Sequence, residues 1–134
     1  MIRHCRKYRN IANRLIRTLP EFDELLKAGP RVAYLQSSKE KVKNRRTVFA
    51  DCTKTDERYS WCCPYDFFIT VYSPNVENFT EEQMEILIQH ELHHIGITYT
   101  DSGVDYFVRP HDIEDFRMII DRFGLDWSTA DAAG

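Results

Sequence analysis

The segment Thr80-Glu81-Glu82-Gln83-Met84-Glu85-Ile86-Leu87-Ile88-Gln89-His90-Glu91-Leu92-His93-His94-Ile95-Gly96 carries both a helix-start signal and a metal-ligand spacing. Thr80 with Gln83 three residues on has the form of a capping box, in which each side chain satisfies the other's backbone N–H. Met84, Leu87, Ile88, Leu92 and Ile95 follow at helical spacing. The pattern predicts a helix from about Glu81 to about Ile95, with Gly96 placed to end it. A helix turns about 100° per residue, so residues four apart lie about 40° apart on one face. His90 and His94 therefore point the same way, one turn apart, and two imidazole nitrogens can reach one zinc ion. Glu91 falls inside the apolar arc of the same helix. A carboxylate there is costly unless a cation or a donor stands beside it, which points to a metal independently of the motif. In an H-E-x-x-H site the glutamate does not ligate; it sits beside the open coordination position and takes a proton from water. His93 lies away from the pair and reads as a neighbour, not a ligand.

Two histidines do not complete a catalytic-type zinc site, which takes a third protein ligand and keeps one position open. Two candidates follow in Arg109-Pro110-His111-Asp112-Ile113-Glu114-Asp115-Phe116: His111, 17 residues past His94, and Glu114, 20 past it. Glu114 and Asp115 are also what the first turn of a helix favours, where the macrodipole attracts acids. His111 stands outside any apolar pattern, so packing does not account for it, and it is the preferred ligand. A hairpin through Asp101-Ser102-Gly103 would bring it back over the first helix, and Asp112 could cap the next helix or orient an imidazole.

Outward from this region, Tyr8, Ile11, Ala12, Leu15 and Ile16 predict a helix over residues 4–17, and Phe22, Leu25 and Leu26 a short one over Glu21 to Lys27. Gly29-Pro30 is a break. Val32 to Leu35, Thr47 to Cys52 and Tyr65 to Tyr72 read as strands, the last being the strongest, with a basic turn over Ser37 to Arg46 and a loop over Thr53 to Ser60. Thr100 to Gly103 reads as a turn and Val104 to Val108 as a short strand. Ile113, Phe116, Ile119, Ile120 and Phe123 predict a final amphipathic helix closed by Gly124, and the tail from about 128 to 134 should fray.

The chain has 134 residues and 43% hydrophobic content, enough for one domain with a core of its own. No apolar run approaches the roughly 20 residues a membrane span needs, and no apolar stretch follows the basic N-terminus, so neither a membrane segment nor a secretory signal is read. Cys5, Cys52, Cys62 and Cys63 form no C-x-x-C pair and are expected to be reduced thiols. Net charge is −3, but residues 1–50 hold 13 Lys and Arg against 4 Asp and Glu. A basic first third could contact nucleic acid; without an accompanying DNA or RNA motif it reads better as a solvated surface neutralised by the acidic remainder.

The order of Pro64-Tyr65-Asp66-Phe67-Phe68-Ile69, then Leu87-Ile88-Gln89-His90-Glu91-Leu92-His93-His94-Ile95-Gly96, then Pro110-His111-Asp112-Ile113-Glu114-Asp115-Phe116 resembles the phage and prophage metallopeptidases. These are similar in outline to the SprT-like zincins, and the likeness runs from about Ile11 to Trp127. The resemblance implies an α+β fold: a small zincin-like domain over 1–134, with a short, mostly antiparallel sheet, an active helix bearing the motif, and N- and C-terminal helices. It implies a Zn2+ ion on His90, His94 and His111, Glu91 as general base, and a peptide or protein substrate. It also implies a cytoplasmic location in a bacterial host cell, and that the strand Asp66 to Tyr72 could lie at the cleft edge and pair with an extended substrate. Tyr99, Tyr106 and Arg109 are candidates for the oxyanion donor. The alternative is a zinc-binding phage protein without turnover that engages a protein or nucleic-acid partner.

Overall fold

A computed structural model of the chain describes residues 1–110. The expected C-terminal helix, Gly124 and the frayed tail lie outside the described residues.

The chain opens with strand β1 (Ile2–His4) and helix α1 (Arg6–Thr18). The expected helix over 4–17 therefore starts two residues late, with Cys5 as its N-cap. The three residues of β1 are all exposed and carry no alternation to announce a strand; pairing with a neighbour makes them one. A 3-10 turn at Pro20–Phe22 leads into helix α2 (Asp23–Ala28), and Gly29 ends it in the left-handed conformation (φ 62°) that glycine adopts at no steric cost. Then come β2 (Val32–Ser37), a small hairpin of β3 (Val42–Lys43) and β4 (Arg46–Thr47), and β5 (Ala50–Lys54). Asn44 and Arg45 both have positive φ, as a two-residue hairpin turn requires. The second strand thus lies about three residues later than Thr47–Cys52, because Arg46 and Thr47 are taken by the hairpin. Next are β6 (Phe67–Tyr72), helix α3 (Ser73–Val76), helix α4 (Glu81–His93), and the hairpin β7 (Ile95–Thr100) and β8 (Gly103–Val108).

Four strands form one sheet in the order β1-β2-β6-β5. The outer pairings are antiparallel, but β2 and β6 run parallel, from Val32 opposite Phe67 to Ser37 opposite Tyr72. This overturns one expectation. The strand ending at Tyr72 is not at the cleft edge; it is interior, bonded on both sides. Its alternation shows why the edge role fails: Phe67, Ile69 and Val71 are fully buried, the composition of a central strand. The edge nearer α4 belongs to β5, which packs against that helix.

Helices α1 and α4 cover one face of the sheet and pack on each other. Tyr8, Ile11, Ala12 and Leu15 of α1 meet Met84, Leu87, Ile88 and Leu92 of α4 over the Phe67, Ile69 and Val71 row. At the rim of this contact Lys7 Nζ pairs with Glu81 Oε1 at 2.9 Å, and Arg14 pairs with Glu85. Basic residues of the first third are thus met by acids of the second half, as the solvated-surface reading expects. No helix among the described residues is long and apolar enough to cross a membrane.

The start of α4 follows the capping box. The Gln83 N–H donates to Thr80 Oγ1 (3.1 Å) and the Thr80 N–H to Gln83 Oε1 (2.9 Å). Thr80→Ala is expected to cost about 1 kcal/mol of stability, measured by urea unfolding. The end of α4 departs from expectation. The helix stops at His93 with His94 as its cap, and Ile95 and Gly96 enter β7. Gly96 is not a helix terminator. It sits across from Phe107, whose ring would lie 2.5 Å from any Cβ placed there. The glycine makes room for a cross-strand aromatic, a demand of the β7–β8 register that the local sequence does not display.

Candidate metal centre

His90 and Glu91 stand in the last turn of α4 and His94 caps it. One ligand atom from each lies within 4.8 Å of the other two. The two imidazole rings meet edge-on with centroids 5.3 Å apart, and His90 Nε2 is 4.0 Å from Glu91 Oε2. His90 and His94 are half-buried, while Glu91 is 3% exposed. The helix holds these groups so firmly because it is buried nearly all round, Gln83, Ile86 and Gln89 included, and not along a single stripe.

The surroundings fit a cation. Burial first, then the charges of Glu91 and Asp51, push the Cys52 thiol of β5 up. His94 Nδ1 is 2.7 Å from the carbonyl oxygen of Arg109. A carbonyl only accepts, so Nδ1 carries the proton and Nε2 keeps its lone pair, the arrangement found behind metal-ligating histidines. Two half-buried imidazoles with a buried carboxylate beside them suit a divalent transition metal.

The β7–β8 hairpin delivers Arg109 to this place. Ile95 pairs with Val108, and one residue beyond, the Arg109 N–H donates to the His94 carbonyl at 2.6 Å. Arg109 Nη2 stands 3.2 Å from Nδ1 of His93, whose buried ring packs on Phe22 with centroids 4.9 Å apart. His93 therefore turns from the His90–His94 pair towards α2, as the helical wheel indicates. Of the three candidate donors, Tyr99 and Tyr106 are directed elsewhere: the Tyr99 hydroxyl donates to Glu24 Oε2 (2.5 Å) and that of Tyr106 to the Ala28 carbonyl (3.4 Å). Arg109 touches one site histidine, His94, through its backbone carbonyl, while its guanidinium goes to His93. His111 and Glu114, the candidate third ligands, lie outside the described residues, as does Asp112.

Sequence reasoning missed the tie between Arg109 and His94. Only the hairpin register places those residues opposite each other, and the one available signal was the turn at Asp101-Ser102-Gly103. It also assigned the cleft edge to the wrong strand, because β5 shows its edge position only once the sheet order is known.

The family described as "Putative phage metallopeptidase" matches residues 1–133 of the chain. No curated protein and no solved structure matches it.

Proposed function

The chain belongs to the phage metallopeptidase family, and on that premise we propose that it is a zinc-dependent peptidase whose metal is held by His90, His94 and His111. The observation that carries the reading is the convergence of His90, Glu91 and His94 within 4.8 Å around a buried carboxylate. His111 is favoured as third ligand by the hairpin: Arg109 is bonded to His94 through both its N–H and its carbonyl. His111 is two residues further on, within about 7 Å of Arg109 on covalent geometry alone. The proposed fold is a small zincin-like domain over residues 1–134, and its proposed location is the bacterial cytoplasm.

Zinc in such a site supplies Lewis acidity to a water molecule and to the scissile carbonyl. The remaining work falls to the chain itself. Glu91, unable to reach bulk solvent, takes the proton of the attacking water and returns it to the leaving amine. The β5 edge, whose strand ladder runs only to β6 among the described residues, offers backbone donors and acceptors to an extended peptide beside α4. The Arg109 carbonyl, bonded to Nδ1 of His94, orients that histidine, while the Arg109 guanidinium goes to His93.

A peptide library digested by metal-stripped protein, with and without restored zinc, tests this reading. Cleavage that appears only with zinc is the expected result. Zinc uptake with no cleavage of any peptide would make the chain a binding module instead.

A further inference from the structure

Arg109 touches two adjacent histidines in chemically opposite ways. Its guanidinium has only N–H donors, so His93 Nδ1, 3.2 Å from Nη2, must be the acceptor, and the proton of that neutral ring sits on Nε2. Its carbonyl only accepts, so His94 Nδ1, 2.7 Å away, must carry the proton, and its lone pair sits on Nε2. One residue thus fixes two neighbouring imidazoles in opposite tautomers.

From this we infer that Arg109 is a positioning residue that sorts the histidines: it presents His94 Nε2 as a metal ligand and keeps His93 out of the ligand set. The inference rests on the reading of His90 and His94 as ligands. The side chain matters because the Arg109 main chain forms the rung after the last pair of the β7–β8 ladder, Ile95 opposite Val108. Ends of ladders open most readily. The guanidinium ties this end to His93, and His93 is itself held by Phe22 on the far side. Without that tie the rung opens, and His94 loses the acceptor that sets its tautomer and ring orientation. Partners of this kind behind a ligand are worth about 10–100-fold in metal affinity.

The test measures zinc affinity by competition with a chromophoric chelator for wild type, Arg109→Ala, Arg109→Lys, His93→Leu and the Arg109→Ala/His93→Leu double variant. Circular dichroism monitors folding, and nitrogen NMR of the metal-free proteins reads the His94 tautomer. Arg109→Ala is expected to bind zinc about 10–100-fold more weakly and to show His94 as a mixture of tautomers where wild type shows Nδ1–H. Arg109→Lys, which keeps a donor for His93, should recover part of the loss. The double variant should bind no more weakly than the worse single one, since both changes cut one link. Should Arg109→Ala fail to fold, Arg109→Lys and His93→Leu carry the same comparison. Folded variants with wild-type affinity and an unchanged His94 signal would overturn the sorting role while leaving the ligand reading in place. Wild type that takes up no zinc would overturn the ligand reading and the sorting role with it.

Discussion

Glu91→Gln is expected to lower peptide hydrolysis by about 10²–10⁴-fold while leaving metal content unchanged. The two halves of this prediction have different causes. Glutamine keeps the size and shape of the side chain in a position only 3% exposed, so α4 and its histidines should stay where they are. It cannot, however, accept a proton from the attacking water and pass it to the leaving amine. Glu91 Oε2 lies 4.0 Å from His90 Nε2, near enough to act on a water held beside that histidine. The comparison uses any peptide that the library digestion identifies, with turnover and KM measured separately. A fall in turnover with little change in KM is the signature of a group acting in the transition state. Full activity in this variant would remove Glu91 from the mechanism.

Phe67→Ala is expected to cost about 3–5 kcal/mol, the largest loss among single core truncations. Phe67 is fully buried on an interior strand, with Val32 on one side and Lys54 on the other in register. Its ring meets that of Tyr106 edge-on at 5.7 Å, so it also anchors β8 to the sheet. Truncation would open a cavity that two neighbouring strands and the hairpin cannot readily close. Since a domain of this size has only about 5–15 kcal/mol in total, the variant should be marginal or unfolded at physiological temperature. Phe68 provides the control. It lies on the opposite face and is half-buried, so Phe68→Ala should lose about 1 kcal/mol. Equal losses, measured by urea unfolding, would mean that the two faces of β6 are misassigned.

The contrast between these neighbours shows what was legible in the sequence. Signals complete within a few residues came through. Thr80 and Gln83 announce the start of α4, Gly29 the end of α2, and the apolar run from Phe67 to Tyr72 a strand. The His90–Glu91–His94 face was legible too, because helical periodicity alone brings these residues together and buries the glutamate. What depends on distant partners was not. The parallel pairing of β2 with β6 joins residues 35 apart, such as Val32 and Phe67, and this pairing moves β6 from the edge to the interior. β1 exists as a strand only because β2 receives it. Ile95 and Gly96 fit a helix end as well as a strand start, and only Phe107 across the hairpin decides between them. The two hydrogen bonds between His94 and Arg109 follow from that same register.

The central claim is that the His90–Glu91–His94 cluster is a metal centre, and metal content tests it most directly. Wild type, His90→Ala, His94→Ala, His111→Ala and Glu114→Ala would be stripped, exposed to zinc, desalted and assayed by elemental mass spectrometry. The account predicts close to one zinc per chain in wild type and in Glu114→Ala, and a sharp loss in each of the three histidine variants. Wild type that emerges empty, or histidine variants that retain zinc as wild type does, would contradict it.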